Sequence, residues 1–191
     1  MKATLAGLIL LALSALCAGA EQNPDLQAMT PREFDCVDTF NLFAGFVMLR
    51  CALVAPEPRD AHLLDAAKQV LLDHRLAQTR DFAALNLSFC PLVSGTGMVP
   101  AANRIYLDDG LRGSSAEGLA EVLAHEAVHV RQLNSLGERD FKCRYVEQMS
   151  ACGGCQDRHH PLEAEAYAAQ DVVRNTLLRA HGITPPPALA P

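Results

Sequence analysis

One carboxylate constrains this chain more than any other feature. The segment "SSAEGLAEVLAHEAVHVRQL" (114–133) has the period of an amphipathic helix. Leu119, Val122, Leu123, Ala127 and Val130 fall on one face at about 100° per residue. His125 and His129 lie together along the edge of that stripe, and Glu126 projects between them and its middle. A carboxylate aimed into an apolar face is costly unless it is paired or lies near a cation. Two imidazoles reaching out from i and i+4 can grip one metal ion, and that ion would be the cation Glu126 lacks. The pattern predicts a helix running from about Ser115 to Leu133, stopping near Gly137, whose polar edge closes on a metal.

The rest of the chain reads as a frame for that helix. Its 191 residues, half of them hydrophobic, suffice for one modest domain with a real core. Thr30-Pro31-Arg32-Glu33 has the form of a helix start, and the apolar run "FDCVDTFNLFAGFVMLRC" that follows predicts a buried helix ending near "APEPRD". A second helix begins at Asp60, with Leu63, Ala67, Val70 and Leu71 on one face. From Asp81 to Gly113 glycines and prolines punctuate the sequence, leaving one short strand, Arg104 to Leu107, before a turn at Asp108-Asp109-Gly110. Ser114-Ser115-Ala116-Glu117 offers a capping box for the histidine-bearing helix. A helix over about Glu138 to Met149, the loop "SACGGCQDRHH" and a last helix from Pro161 to Gly182 complete the domain, 31–182. The tail, 183–191, is proline-rich and expected to be disordered.

The first twenty residues carry one early charge, Lys2, then an apolar run from Leu5 to Leu16, and close on Ala18-Gly19-Ala20. This is the form of a signal peptide, which predicts export to the periplasm or the medium, with 21–30 a flexible arm on the mature chain. No later stretch is long enough for a membrane span, so no membrane contact is expected once the leader is removed. Removing it leaves six cysteines: Cys36, Cys51, Cys90, Cys143, Cys152 and Cys155. An even set in an exported chain suggests disulfides, and Cys152 and Cys155 suit one another as partners, stapling the loop between two helices; the other pairings stay open. With 16 basic residues against 22 acidic and no basic cluster, nucleic acid is not an expected partner. The oligomeric state is not legible.

The spacing of the histidines fits a catalytic use of the metal. A catalytic zinc ion keeps an open position and lowers the pKa of water there to about 7, where a neighbouring carboxylate can take its proton. Glu126 is placed for that task. A third protein ligand is needed, and the last helix offers two. Its stripe of Leu162, Ala166, Ala169, Val173 and Leu177 is flanked on opposite sides by Glu163 and Glu165, so periodicity does not decide between them.

"LAHEAVHVRQ" (123–132), followed some thirty residues later by "PLEAEAYA" (161–168), resembles the gluzincin-type metallopeptidase core. It is most similar to the small bacterial domains related to that of extracellular contractile injection systems, and more distantly to the HtpX and CAAX prenyl protease group. The resemblance covers about residues 98–170. It implies a zincin-like single domain of the α+β class, mainly helical, with zinc held by His125, His129 and Glu163 and with Glu126 as general base. The family pattern Glu-x-x-Ala-Asp lays its first glutamate on Glu163 and its final aspartate on Tyr167. That substitution leaves His125 without the partner that usually orients it. The strand "NRIYL" (103–107) matches the edge strand that borders the substrate cleft in the zincin plan.

Other residues near the motif have weaker claims. His159 and His160, on a polar loop, are expected to be exposed, with an oxyanion-stabilising role as the sharper alternative; Tyr145 and Tyr167 are further candidates for that role. Gln132 either lines the cleft or faces solvent. His62, His74 and His181 belong to no motif. The expectation is an exported zinc metallopeptidase acting on a peptide or protein. The alternative is a zinc-stabilised, non-catalytic binding or structural module of an export or secretion assembly. A third reading is a disulfide-stapled helical binding protein without metal.

Overall fold

A computed structural model describes residues 31–51 and 57–186. The leader, the arm at 21–30, the capping residue Thr30 and the last five residues of the tail lie outside the described residues. The chain forms helices α1 (Pro31–Val47), α2 (Pro58–Asp73) and the single turn α3 (Thr79–Phe82). Three strands follow, β1 (Asn86–Cys90), β2 (Gly97–Ala101) and β3 (Arg104–Asp108), then a 3₁₀ turn and helices α4 (Ala116–Leu136), α5 (Glu138–Ala151) and α6 (Pro161–Ala180). The protein is α+β and mainly helical, with one small sheet. Residues 183–186 have no regular structure. Among the described residues, no helix is long and apolar enough to cross a membrane.

The sheet corrects two expectations. The sequence suggests a single strand bordering the cleft, but 104–108 is the central strand of the order β1-β3-β2. It pairs parallel with β1 and antiparallel with β2, and its Ile105 and Leu107 are fully buried. The edge strand is β2, whose register shifts between Met98 and Ala101. Pro100 cannot donate to a ladder, and such a residue is tolerated at an edge or a bulge.

Helix α4 packs chiefly against α6 and α2, while α1 lies across α5 and touches β2. The buried face of α2 is Leu64, Ala67 and Leu71, one position round from the expected stripe, with Leu63 and Val70 half-buried. The N-cap of α4 is Ser115, whose hydroxyl accepts from the Gly118 amide at 3.1 Å, so the start is one residue later than the Ser114–Glu117 box predicts. Gly137, at φ 82°, ends α4 and lets α5 begin at once. Three disulfides join Cys36 to Cys143, Cys51 to Cys90 and Cys152 to Cys155. The last is the expected pair. The first bridges 107 residues and clamps α1 to α5. Three disulfides fit an oxidising, exported environment.

Candidate metal centre

Helix α4 presents His125 and His129 one turn apart, with their rings 5.1 Å apart. Across from them α6 presents Glu163. Its Oε2 lies 3.1 Å from His125 Nε2 and 3.5 Å from His129 Nε2. The ligand atoms of these three residues all lie within 4.8 Å of one another, so the group could hold a metal ion. All three side chains are buried. Of the two glutamates that periodicity left open, Glu163 is the one beside the histidines. Glu165 turns the other way and accepts a hydrogen bond from Gln132.

Each ligand candidate is held by a neighbour, with one exception. Tyr145, on α5, donates its hydroxyl to Glu163 Oε1 at 2.7 Å. That leaves Oε2 for the histidines. Gln132 is buried and fixes His129. Its amide nitrogen donates to the Leu162 carbonyl and to Glu165, so its Oε1 must face His129 Nδ1, at 2.8 Å. His129 Nδ1 therefore carries the proton and Nε2 is the nitrogen aimed at Glu163. The sequence leaves Gln132 undecided between cleft and solvent; it does neither, and ties α4 to the start of α6. The exception is His125 Nδ1, which is buried with no partner. The side of its ring meets Tyr167 instead, at 4.7 Å. This is the position where the family resemblance implies an aspartate.

His160 corrects another expectation. It is not exposed but fully buried, while His159 stands in solvent bonded to Asp157. His160 is the N-cap of α6. Its Nδ1 accepts from the Glu163 amide at 3.4 Å and its Nε2 donates to the Tyr145 carbonyl at 3.0 Å. Neither His159 nor His160 borders the cleft, so neither is placed to stabilise an oxyanion. The N-cap position of His160 has a sequence signal, its place just before Pro161 at a helix start, whereas its burial does not.

The centre opens on a cleft of about 320 Å³, whose walls include Gly97, Met98, Val122, Glu126 and Tyr167. At Gly97 a side chain of any size would be excluded. A Cβ there would collide with the Glu126 carboxylate, so the edge strand passes directly against it. The electrostatics are those of a site short of positive charge. Burial pushes the Glu126 carboxyl up, against the pull of His129 and His125. For His129, burial disfavours the imidazolium, but the hydrogen bond to Glu163 and the charges of Glu126 and Glu163 outweigh it and raise the pKa to about 9. Glu163 is held far below the ordinary carboxylate range: burial opposes ionisation, and hydrogen bonds from His125, His129 and Tyr145 overcome it. Burial and the nearby Glu163 keep the Tyr145 hydroxyl protonated. Two imidazoles and a carboxylate form a donor set that suits zinc, and a proton on His129 offsets the same negative charge that a divalent ion would.

No protein-family model matches the chain, and no curated protein or solved structure is significantly similar to it.

Proposed function

We propose that the protein is an exported zinc metallopeptidase of the zincin type. The observation that carries this reading is the convergence of His125 Nε2, His129 Nε2 and Glu163 Oε2 at the floor of an open cleft, with buried Glu126 on the same wall. His125, His129 and Glu163 would hold the zinc. The ion supplies Lewis acidity toward a carbonyl oxygen and toward water. Glu126 takes a proton from the attacking water and delivers it to the departing amine nitrogen. Its raised pKa suits it to hold that proton between the two transfers. Gln132 and Tyr145 orient His129 and Glu163, while β2 brings its edge to the cleft, where an extended peptide can lie. The test is hydrolysis of a peptide library by wild type and by Glu126→Gln, with zinc content measured in both. The reading expects chelator-sensitive cleavage by the wild type and loss of cleavage with zinc retained in the variant.

One observation favours the second reading, a zinc-stabilised module without turnover. His125 Nδ1 has no partner, so the first histidine is less firmly oriented than the second. Under that reading the wild type binds zinc and leaves the whole library intact.

A further inference from the structure

We propose that α1 is the specificity wall of the cleft, and that it selects a large, uncharged apolar side chain next to an internal amide bond of the substrate. This rests on the peptidase reading above. The cleft that contains the metal ligands is also lined by Phe40, Phe43 and Val47 of α1. Their spacing of three and then four places them on one face of that helix. Behind them an aromatic cluster continues to the metal site. Phe40 meets Tyr145 edge-on at 5.5 Å and Phe141 at 6.0 Å, and Phe141 lies 6.2 Å from His129. Phe40, Val47 and Phe141 are buried. Phe43 is half-buried and stacks on Tyr145 at 6.4 Å, so part of it stays available to a ligand.

The charge of the lining narrows the choice. Among the described residues, the only charged or titrating side chains on the cleft besides the two tyrosines are His125, Glu126, His129 and Glu163. No lysine or arginine lines it. An acidic substrate side chain would lose its hydration there and meet Glu126 and Glu163 rather than a cation, and a basic one would have to share those carboxylates with the metal ion. A free C-terminal carboxylate would fare no better, because it needs a cation to receive it. An apolar side chain has the opposite balance. At about 25 cal/mol per Å², burying a phenyl group strengthens binding roughly 10- to 100-fold. Ser94, Gly95, Thr96 and Gln156 give the mouth a neutral polar rim, which suits the peptide backbone on either side.

Both long-range disulfides converge on this wall. Cys36 lies within α1 and joins α5, which carries Phe141 and Tyr145; Cys51 lies just beyond its end and joins β1. Helix α1 is thus joined to α5 from within its first half and, just past its end, to β1. It also lies outside residues 98–170, so the family resemblance does not account for its place in the cleft.

The experiment measures binding of three hydroxamates to the zinc-loaded protein with its disulfides intact, by titration calorimetry. The probes are acetohydroxamate, a succinyl hydroxamate bearing a benzyl group, and the same scaffold bearing a carboxymethyl group. The expected result is that the benzyl compound binds at least about 10-fold tighter than either of the others. In Phe43→Ser that advantage shrinks several-fold, while zinc content and acetohydroxamate affinity hold; Phe43→Leu falls between and serves if the serine variant does not fold. Equal affinity of the benzyl and carboxymethyl compounds overturns the inference and leaves the metal site standing. So does an advantage that survives in both Phe43 variants. Failure of the wild type to bind zinc or any hydroxamate overturns the peptidase reading, and the inference with it.

Discussion

On the zinc reading, the ion and a proton compete for His129, and the competition sets a measurable pH dependence. In chelator-treated protein the His129 pKa stands at about 9, raised by Glu163 and Glu126 against the effect of burial. At pH 7 the imidazolium therefore greatly outnumbers the neutral ring. Zinc must displace that proton, since only the neutral ring offers Nε2 as a ligand. Apparent zinc affinity should therefore rise at least about tenfold per pH unit up to about pH 9. Glu163 adds no second step in this range, because its carboxyl is already ionised. Glu126 can add one, since burial holds its proton and a bound dication favours release. Calorimetry in buffers of different ionisation enthalpy counts the protons: between one and two per zinc for wild type at pH 7, and one for Glu126→Gln. Zinc binding without proton release, and with an affinity flat between pH 6 and 8, would refute the reasoning. The same shifts govern the stability of the metal-free protein. The His129 contribution is fully present below about pH 6.5 and is lost as pH rises through about 9. The Glu163 contribution is present above about pH 4.5 and is lost as pH falls. The raised Glu126 carboxyl adds stability that is lost as pH rises above about 4.5, so metal-free protein should be most stable at the acid end of the range between about pH 4.5 and 6.5.

Three variants test the supports of the centre and of the fold around it. Gln132→Leu leaves His129 Nδ1 and the Leu162 carbonyl without their partner, and should weaken zinc binding about 10- to 100-fold in competition with a chromophoric chelator. Gly97→Ala puts a methyl group into the space of the Glu126 carboxylate; zinc should be retained while hydrolysis falls about 10-fold or more. Replacing Cys36 and Cys143 together by serine opens a bridge across 107 residues and should lower stability in urea by about 2–5 kcal/mol.

The parts of this fold that were legible in the sequence are those fixed by local periodicity. Most of the α4 stripe, the position of Glu126 beside it, and the glycines after α4 and α6 follow from helical spacing and capping, although Ala127 is only half-buried and Val128, off the stripe, is fully buried. The two outer strands were not legible. "NLSFC" and "GMVPA" are five residues each, and the second contains a proline, so neither shows a clear alternation. Glu163 and Glu165 differ only in which side of one stripe they take. That choice depends on how α6 is rotated against α4, which is set by tertiary packing. The burial of Gln132 and His160 has the same origin: each satisfies backbone or side-chain groups on a different helix, a demand that arises only when the helices meet. The role of α1 was the least accessible of all, since its three inward residues read as ordinary core.

The central claim is that His125, His129 and Glu163 together bind one zinc ion. The most direct measurement is zinc stoichiometry by native mass spectrometry on protein prepared with its disulfides intact and given excess zinc before exchange into zinc-free buffer. One zinc per chain is expected in the wild type, with retention in Glu165→Ala and loss in Glu163→Ala. A wild type that holds no zinc, or a Glu163→Ala variant that holds it as tightly as the wild type, would contradict that claim.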